Sequence, residues 1–586
     1  MKSKLTFALI ALIISLQGFS QNSIAYKKWN PALDSLLVLE GQAWPKEVKN
    51  YYDRLPARAE KSVRNEVWDL AQNSAGLSLR FRTNANEIVV KYAVSEKLQF
   101  PHMPATGVSG VDLYAKNSDG KWLWCAGRFS FGDTIVYRFR GMLSKDEYEN
   151  PFEYTLYLPL YNSVKWLEVN VPDSSLFTPL PVRKEKPVLV YGTSIAQGGC
   201  ATRPGLAWTN ILSRKLDRPV INLGFSGNGR LEKELIDLIS EVDAKLYVLD
   251  CLPNLTAGNE LKKRIVESVQ LLQAKKPGIP ILLTEHDGYT DEDINPDSRK
   301  EYQSINAVLR QEFDSLSTTN TKNIYLLTKN EIGQDIETMV DGTHPNDIGM
   351  MRYADAYEKK IRTIINEPVG AVSTTIPVTQ HRDGIYDWEL RHNEVLAYNK
   401  INHPKLIFIG NSITHYWAGK PTAPITRGTD SWEKFFSPRD AVNLGFGWDR
   451  IENVLWRVYH GELDNISPNQ VVLMIGTNNL QFNSDEEIIV GLRFLIKAVA
   501  TKQPGANILL MGILPRRDQE ERVARLNTEL SKIKFESKVK FADAGTLFLK
   551  NDHKIDESLF SDGLHPNEQG YRKLGEFISR YITHER

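Results

Sequence analysis

The sequence predicts a multidomain chain: an N-terminal all-β, sandwich-like module followed by two three-layer α/β sandwich domains with parallel sheets. Three observations predict it. Apolar and polar residues alternate with period two in the first part of the chain. From about residue 184 onward, short apolar strands alternate with amphipathic helices. That second texture then runs through twice, closing each time on one phrase, DGTHPNDIGM at 341–350 and DGLHPNEQGY at 562–571. A chain of 586 residues has room for about three or four domains of ~100–200 residues.

In chain order, residues 1–21 read as a signal peptide. Lys2 and Lys4 precede the apolar run Leu5–Leu16, and Gly18-Phe19-Ser20 forms the cleavage region. The run is short of the ~20 apolar residues of a stable span, although an uncleaved anchor is the alternative. No Cys stands near the cleavage region to carry a lipid, and no later segment is apolar enough to cross a bilayer. A periplasmic or secreted protein is expected, with no membrane span after signal cleavage. Residues 22–183 form the β-module, with strands at LSLRFRT (77–83), EIVVKYAV (87–94), FEYTLYL and VKWLEVNV. Residues 184–367 and 386–586 are the two α/β domains. The stretch 368–385 between them is read as a linker, because EPVGAVSTTIPVTQ has two Pro and no helical period.

The two α/β domains are copies. KPVLVYGTSIAQG matches PKLIFIGNSITHY, PVINLGFSGNGR matches DAVNLGFGWDR, AKLYVLDCLPN matches NQVVLMIGTNN, and IPILLTEHD matches ANILLMGIL. Ser194 precedes His344 by 150 residues, and Ser412 precedes His565 by 153. Lys+Arg and Asp+Glu number 72 each, so net charge gives no reason to expect nucleic acid or an anionic membrane as partner. A small or uncharged substrate is expected.

Each copy lines up one chemistry. Ser194 and Ser412 end an apolar strand, at the sheet edge where open α/β folds place their ligand crevice. A serine hydroxyl needs a base to become a nucleophile. The only His matched between copies is His344 or His565, and the Asp three residues earlier, Asp341 or Asp562, can orient its imidazole. The turn after NLGF offers backbone N–H groups, and Asn254 or Asn478 a side-chain amide, to a developing oxyanion. Each piece alone has a bland reading as a cap, a turn or a surface histidine. Their ordered recurrence carries the catalytic one.

These residues resemble the SGNH hydrolases, the GDSL-type esterases and lipases, whose four blocks supply Ser, Gly, Asn and His. The first copy, with GVDLY at 110–114, is similar to the GDSL lipase subgroup that has an N-terminal Gly-x-Asp-Leu-Tyr β-module. The second, with NLGFGWDRIENVLWR, GELDNI, VVLMIGTNN and ILPR, resembles platelet-activating-factor acetylhydrolase-like esterases. The resemblance implies flavodoxin-like α/β domains and a carboxylic ester hydrolase working without cofactor. It assigns Ser194, Asp341 and His344 as the first triad, with Gly227 N–H and Asn254 as oxyanion donors. Ser412, Asp562 and His565 form the second, with the N–H of Trp448 and Asn478 as donors. Gly-Asp-Ser of the family is Gly-Thr-Ser in one copy and Gly-Asn-Ser in the other. Asp250-Cys-Leu-Pro-Asn254 replaces Gly-x-Asn in the first, and Trp448 stands at the usual donor Gly of the second.

Other residues carry paired expectations. Cys200 and Cys251 both belong at the edge of the first sheet, so a disulfide between them is one expectation and free buried thiols the other. Trp208, Trp417, Trp432 and Trp456 are core or pocket wall, against sugar-stacking platforms. His286 is a satisfied loop residue or a substrate contact. No His-Glu-x-x-His or Cys/His cluster exists, so no metal is expected. The expected function is hydrolysis of acyl, chiefly acetyl, esters of carbohydrate. The rivals are a lipid or lysophospholipid esterase, and a carbohydrate-binding protein with an inactive hydrolase copy. The oligomeric state is left open.

Overall fold

The computed structural model of the chain describes residues 25–318, 322–382 and 384–582; the expected signal peptide, 1–21, lies outside them. No helix among the described residues is long and apolar enough to cross a membrane.

Two antiparallel sheets face each other in the N-terminal module. One has five strands, ordered Tyr26–Trp29, Val164–Pro172, Glu87–Val94, Ile135–Arg140 and Arg128–Ser130. The other is built on Ser78–Thr83, Phe152–Tyr157 and Asp112–Lys116. Period-two alternation turns Leu79 and Phe81 from one sheet toward Ile88, Val90 and Tyr92 of the other, all fully buried. The opposite face is buried too: Arg80 pairs with Glu153 at 2.8 Å and reaches Glu389 of the C-terminal half at 3.5 Å.

Each α/β domain holds five parallel strands in the order second, first, third, fourth, fifth, the flavodoxin-like arrangement. The first sheet comprises Val188–Gly192, Val220–Gly224, Leu246–Asp250, Ile281–Thr284 and Ile324–Leu327. The second comprises Leu406–Gly410, Ala441–Gly445, Gln470–Met474, Asn507–Met511 and Val539–Ala542. The strands read as unbroken apolar runs because helices cover both faces. Leu189 and Tyr191 enter one core, and Val188 and Val190 the other. Registers match as well: Gly192 stands opposite Gly224 and Asp250, Gly410 opposite Gly445 and Met474.

Two segments behave differently from their sequence texture. Residues 44–71 fall inside the range expected for the β-module, 22–183, yet Trp44, Leu55, Val67 and Trp68 pack into the first α/β core. This segment supplies Arg54, buried at 1% exposure, whose guanidinium donates to the carbonyls of Asn222 (3.1 Å) and Gly224 (2.9 Å) and lies over Phe225. In the second domain Arg391 does the same from the helix Trp388–Asn402, donating to Gly445 and Asn443 carbonyls over Phe446. The linker stretch also docks. Thr374 Oγ1 donates to the Glu487 carbonyl at 2.7 Å and Gln380 Nε2 to that of Gly447 at 2.8 Å.

The three parts meet at Asp217, which follows the helix Trp208–Leu216 of the first α/β domain. Its carboxylate accepts from Lys116 Nζ of the module (2.7 Å), Trp456 Nε1 of the second α/β domain (2.9 Å) and Arg183 (3.4 Å). Burial opposes this charge and the two cations outweigh burial, so its pKa is lowered. Removing one partner of a buried ion pair strands the others without solvent. Asp217→Leu is expected to destabilise the protein by about 3–5 kcal/mol, measured as the shift in denaturant midpoint at unchanged slope.

Candidate active sites

The first site begins where Val188–Gly192 ends. A Cβ on Gly192 would meet Ala196 Cβ at 2.6 Å and the Asp250 carbonyl at 2.9 Å, so only glycine lets the chain turn there. Thr193 Oγ1 accepts the Ile195 N–H at 3.3 Å and starts the short helix Ser194–Gln197. Ser194 Oγ lies 2.8 Å from His344 Nε2, and His344 Nδ1 lies 2.8 Å from Asp341 Oδ2. Asp341 Oδ1 accepts the backbone N–H groups of His344 (2.8 Å) and Thr343 (3.1 Å). Burial raises that carboxyl's pKa, but these bonds outweigh it and hold the group below its usual range. An ionised Asp341 fixes the proton on Nδ1 and leaves Nε2 free to accept from the serine hydroxyl.

The second site repeats this geometry. Asn411 Oδ1 takes the place of Thr193, accepting the Ile413 N–H at 3.0 Å. Ser412 Oγ is 2.8 Å from His565 Nε2, and His565 Nδ1 is 2.8 Å from Asp562 Oδ2. Asp562, half-exposed, is lowered to about 2; burial opposes the shift, and bonds from the His565 backbone and ring drive it. The rest of the repeated phrase is structural. Asn346 and Asn567 cap the following helices, each accepting two backbone N–H groups. Gly349 and Gly570 pack where a Cβ would meet a carbonyl at 2.3 Å.

Gly227 and Trp448 occupy the same turn in a left-handed conformation, at φ 69 and 64. Their N–H groups make no hydrogen bond among the described residues, and neither do those of Ser194 and Ser412 at the helix starts. The Trp448 side chain turns to solvent, 45% exposed, so its backbone can do there what a glycine backbone does. Asn254 Oδ1 accepts the Gly229 N–H at 3.2 Å, which leaves its amide N–H groups uncommitted. Asn478 gives one N–H to the Asp449 carbonyl at 3.0 Å. Sequence reading missed the residues that fix these turns. Gln197 Oε1 accepts the Ser226 N–H at 3.0 Å, and His415 Nδ1 accepts the Gly447 N–H at 3.1 Å. Both stand one helical turn after their serine. Burial, then Arg391 and Arg457, keeps His415 neutral, so Nδ1 stays an acceptor. This serine, base and donor set can pass a proton from Oγ to imidazole while charge grows on a bound carbonyl oxygen.

The Cys200–Cys251 disulfide is not formed: Cys125, Cys200 and Cys251 are all free and buried. Cys200 lies in the core on one face of the first sheet and Cys251 in the core on the other, so the sheet stands between them. Trp208, Trp417, Trp432 and Trp456 are buried core residues and offer no platform to solvent. His286 is fully buried, its Nδ1 accepting the Gly288 N–H at 2.9 Å. The β-module reaches both sites. Tyr161 OH donates to the Ser194 carbonyl (3.1 Å), and the His102 ring lies 6.1 Å from that of His344. Asp119 pairs with Arg382 and with Arg450, two residues beyond Trp448. The GVDLY motif explains the docking. Asp112 accepts from Arg203 and from Gly205 N–H (3.0 Å), in the loop that follows the Ser194 helix.

Residues 185–362 and 408–573 each match a model described as the GDSL-like lipase/acylhydrolase family, and residues 27–177 match the GxDLY N-terminus of SGNH-hydrolase-type esterases. Platelet-activating factor acetylhydrolase IB subunit alpha2 of Homo sapiens is 31% identical over 192 residues, 32% of this chain and 80% of that protein. The alpha1 subunit of Bos taurus is 28% identical over 207 residues, 34% of this chain and 85% of that protein. A crystal structure of a protein described as a GDSL-like lipase, from Bacteroides ovatus ATCC 8483, is 32% identical at a TM-score of 0.54. It covers 58% of this chain and 98% of its own. The chain therefore belongs to the GDSL-like lipase/acylhydrolase family: it is a carboxylic ester hydrolase with two SGNH domains in tandem behind a GxDLY module.

Proposed function

We propose that the protein is an exported esterase that removes short acyl groups, chiefly acetyl, from carbohydrate at two separate serine centres. The observation that carries this reading is the unbroken Ser–His–Asp relay, present twice with 2.8 Å at every bond. In it, Ser194 or Ser412 attacks the ester carbonyl while His344 or His565 takes the Oγ proton, and Asp341 or Asp562 steadies the imidazolium. The oxyanion lies against the N–H of Gly227 or Trp448 and the amide of Asn254 or Asn478. Collapse of the tetrahedral adduct returns the proton to the leaving alcohol, and water then releases the acid from the acyl-serine by the same route.

The acetyl assignment draws on the name of the acetylhydrolase relatives. Tyr416, Arg427 and Arg516 beside His565 and Asp562 also make polar surroundings that suit a short acyl group better than a long alkyl chain. Carbohydrate as the acylated partner draws on the β-module, and export on the leader at 1–21. A lipid ester is the rival, favoured by the substrate in the relatives' name.

Fluorophosphonate labelling tests the centres. Label is expected on wild type, on Ser194→Ala and on Ser412→Ala, and none on the double variant; unchanged labelling of the double variant would refute both nucleophiles. Activity on nitrophenyl esters is expected to fall beyond about four carbons, with acetate released from acetylated polysaccharides; a rise beyond about eight carbons would favour lipid. Burial first, then Arg427 and Arg516, lower the pKa of His565 against the pull of Asp562. The base stays neutral until the pH drops through that lowered value. The acidic limb of kcat/KM for the Ser194→Ala protein should therefore fall below the ordinary imidazole value of 6.5.

A further inference from the structure

The two sites share a triad and differ in charge. Among the described residues, the only ion pair of Asp341 is with His344. At the second site two guanidinium groups close in. Arg427 Nη1 lies 3.6 Å from Asp562 Oδ2, and its guanidinium sits 5.5 Å over the ring of Tyr416. That ring lies 5.6 Å from the ring of His565. Arg516 lies in the loop five residues past the fourth strand and donates from Nη1 to the Thr477 carbonyl at 3.3 Å, beside Asn478. Its charge acts on both Asp562 and His565.

Neither cation is fully used. The Arg427 side chain makes no hydrogen bond among the described residues: its Nη1 is buried with no hydrogen-bond partner, and its one ion pair, to Asp562 at 3.6 Å, is longer than a hydrogen bond. Arg516 spends one of its five N–H donors, in one long bond. Its neighbour Arg517, by contrast, is neutralised by a bidentate pair with Glu557 at 2.8 and 2.9 Å. The other acids nearby are engaged elsewhere: Arg572 holds both Asp430 and Glu568. Asp562 gives its oxygens to the His565 ring and to two backbone N–H groups. In the first copy the guanidinium of Arg230 is spent on the Gly227 carbonyl, at 3.1 Å from Nε and 2.9 Å from Nη2. Counting from the matched Leu283 and Leu510, Tyr289 stands where Arg516 does, and Gly198 where Tyr416 does.

We propose that the second site takes acyl esters whose alcohol part carries an oxyanion, a carboxylate or a phosphate, bound by Arg427 and Arg516, while the first site takes uncharged esters. Guanidinium groups with open donors in a half-buried site bind such oxyanions through paired, charge-assisted hydrogen bonds. The proposal rests on the ester-hydrolase reading of the second centre, and two measurements separate them. Calorimetric titration of benzoate and of phenyl phosphate into the Ser412→Ala protein reads the anion site without turnover. Saturable binding is expected, weakened about tenfold by adding Arg427→Met or Arg516→Met. The Ser194→Ala protein reads turnover on 4-acetoxybenzoate, 4-acetoxyphenyl phosphate and the neutral methyl 4-acetoxybenzoate. The anionic-to-neutral ratio of kcat/KM should exceed about ten, drop about tenfold in either Met variant, and partly return in Arg516→Lys. Preference between the two anions distinguishes an acylated acid from a phosphorylated alcohol. Equal rates on all three esters with the ratio unmoved by the arginine variants, or no saturable anion binding, overturns the proposal. Anion binding without turnover of any ester leaves the anion site standing and removes the esterase reading of that centre.

Discussion

One buried carboxylate joins all three parts of this chain. Asp217 belongs to the first α/β domain, yet it takes Lys116 and Arg183 from the module and the indole of Trp456 from the second α/β domain. A charge withdrawn this far from water persists only when its partners are present and well placed. The module is thereby wedged against both hydrolase domains, and that wedge determines what each site sees at its rim. Tyr161 and His102 stand at the first, and Asp119 near the second.

Within each domain the duplicated skeleton is a set of paired devices at the sheet's carboxyl edge. The second strand is an edge strand, so its last carbonyls have no neighbour on one side and a buried arginine takes them. One strand residue, Asn222 or Asn443, turns its amide to a carbonyl of the short helix that starts at Ser194 or Ser412, at 2.7 Å in both copies. The lining, by contrast, has diverged. Asp250 and Asp287 of the first domain stand where Met474 and Leu514 stand in the second, and Tyr353 and Tyr357 where Leu574 and Ile578 stand. Burial, and then the neighbouring Asp287, push Asp250 up to about 7. At these matched positions the first copy is polar and the second apolar, and the second has Arg427 beside Asp562. One duplicated frame thus holds two different sets of neighbours.

The triads were legible because their parts are tied to local syntax. A serine at a strand end and an Asp-x-x-His before a capped helix each have a short-range reason for their place, and the second copy checks the first. The Gln197 and His415 supports were not legible: nothing in the chain says which side chain one turn past the serine will meet the oxyanion turn. The Cys200–Cys251 pairing failed for a related reason. Position along a strand tells which edge a cysteine reaches, but the face it leaves from put the whole sheet between the two thiols. The linker lacked a helical period and was read as a spacer, whereas its Thr374 and Gln380 hydrogen bonds are made to partners far along the chain.

By itself, then, the sequence determined the fold class and the duplication and singled out the Ser, His and Asp that the structure brings together in each copy, because strand period, helix caps and repeated spacing are properties measured along the chain. Only the tertiary structure decided that residues 44–71 complete the first α/β core, that the module touches both sites, and that Arg427 and Arg516 converge on the second. Those outcomes depend on where distant segments dock and which face of a sheet they cover. Burial and charge there are set by neighbours in space, which no local period records.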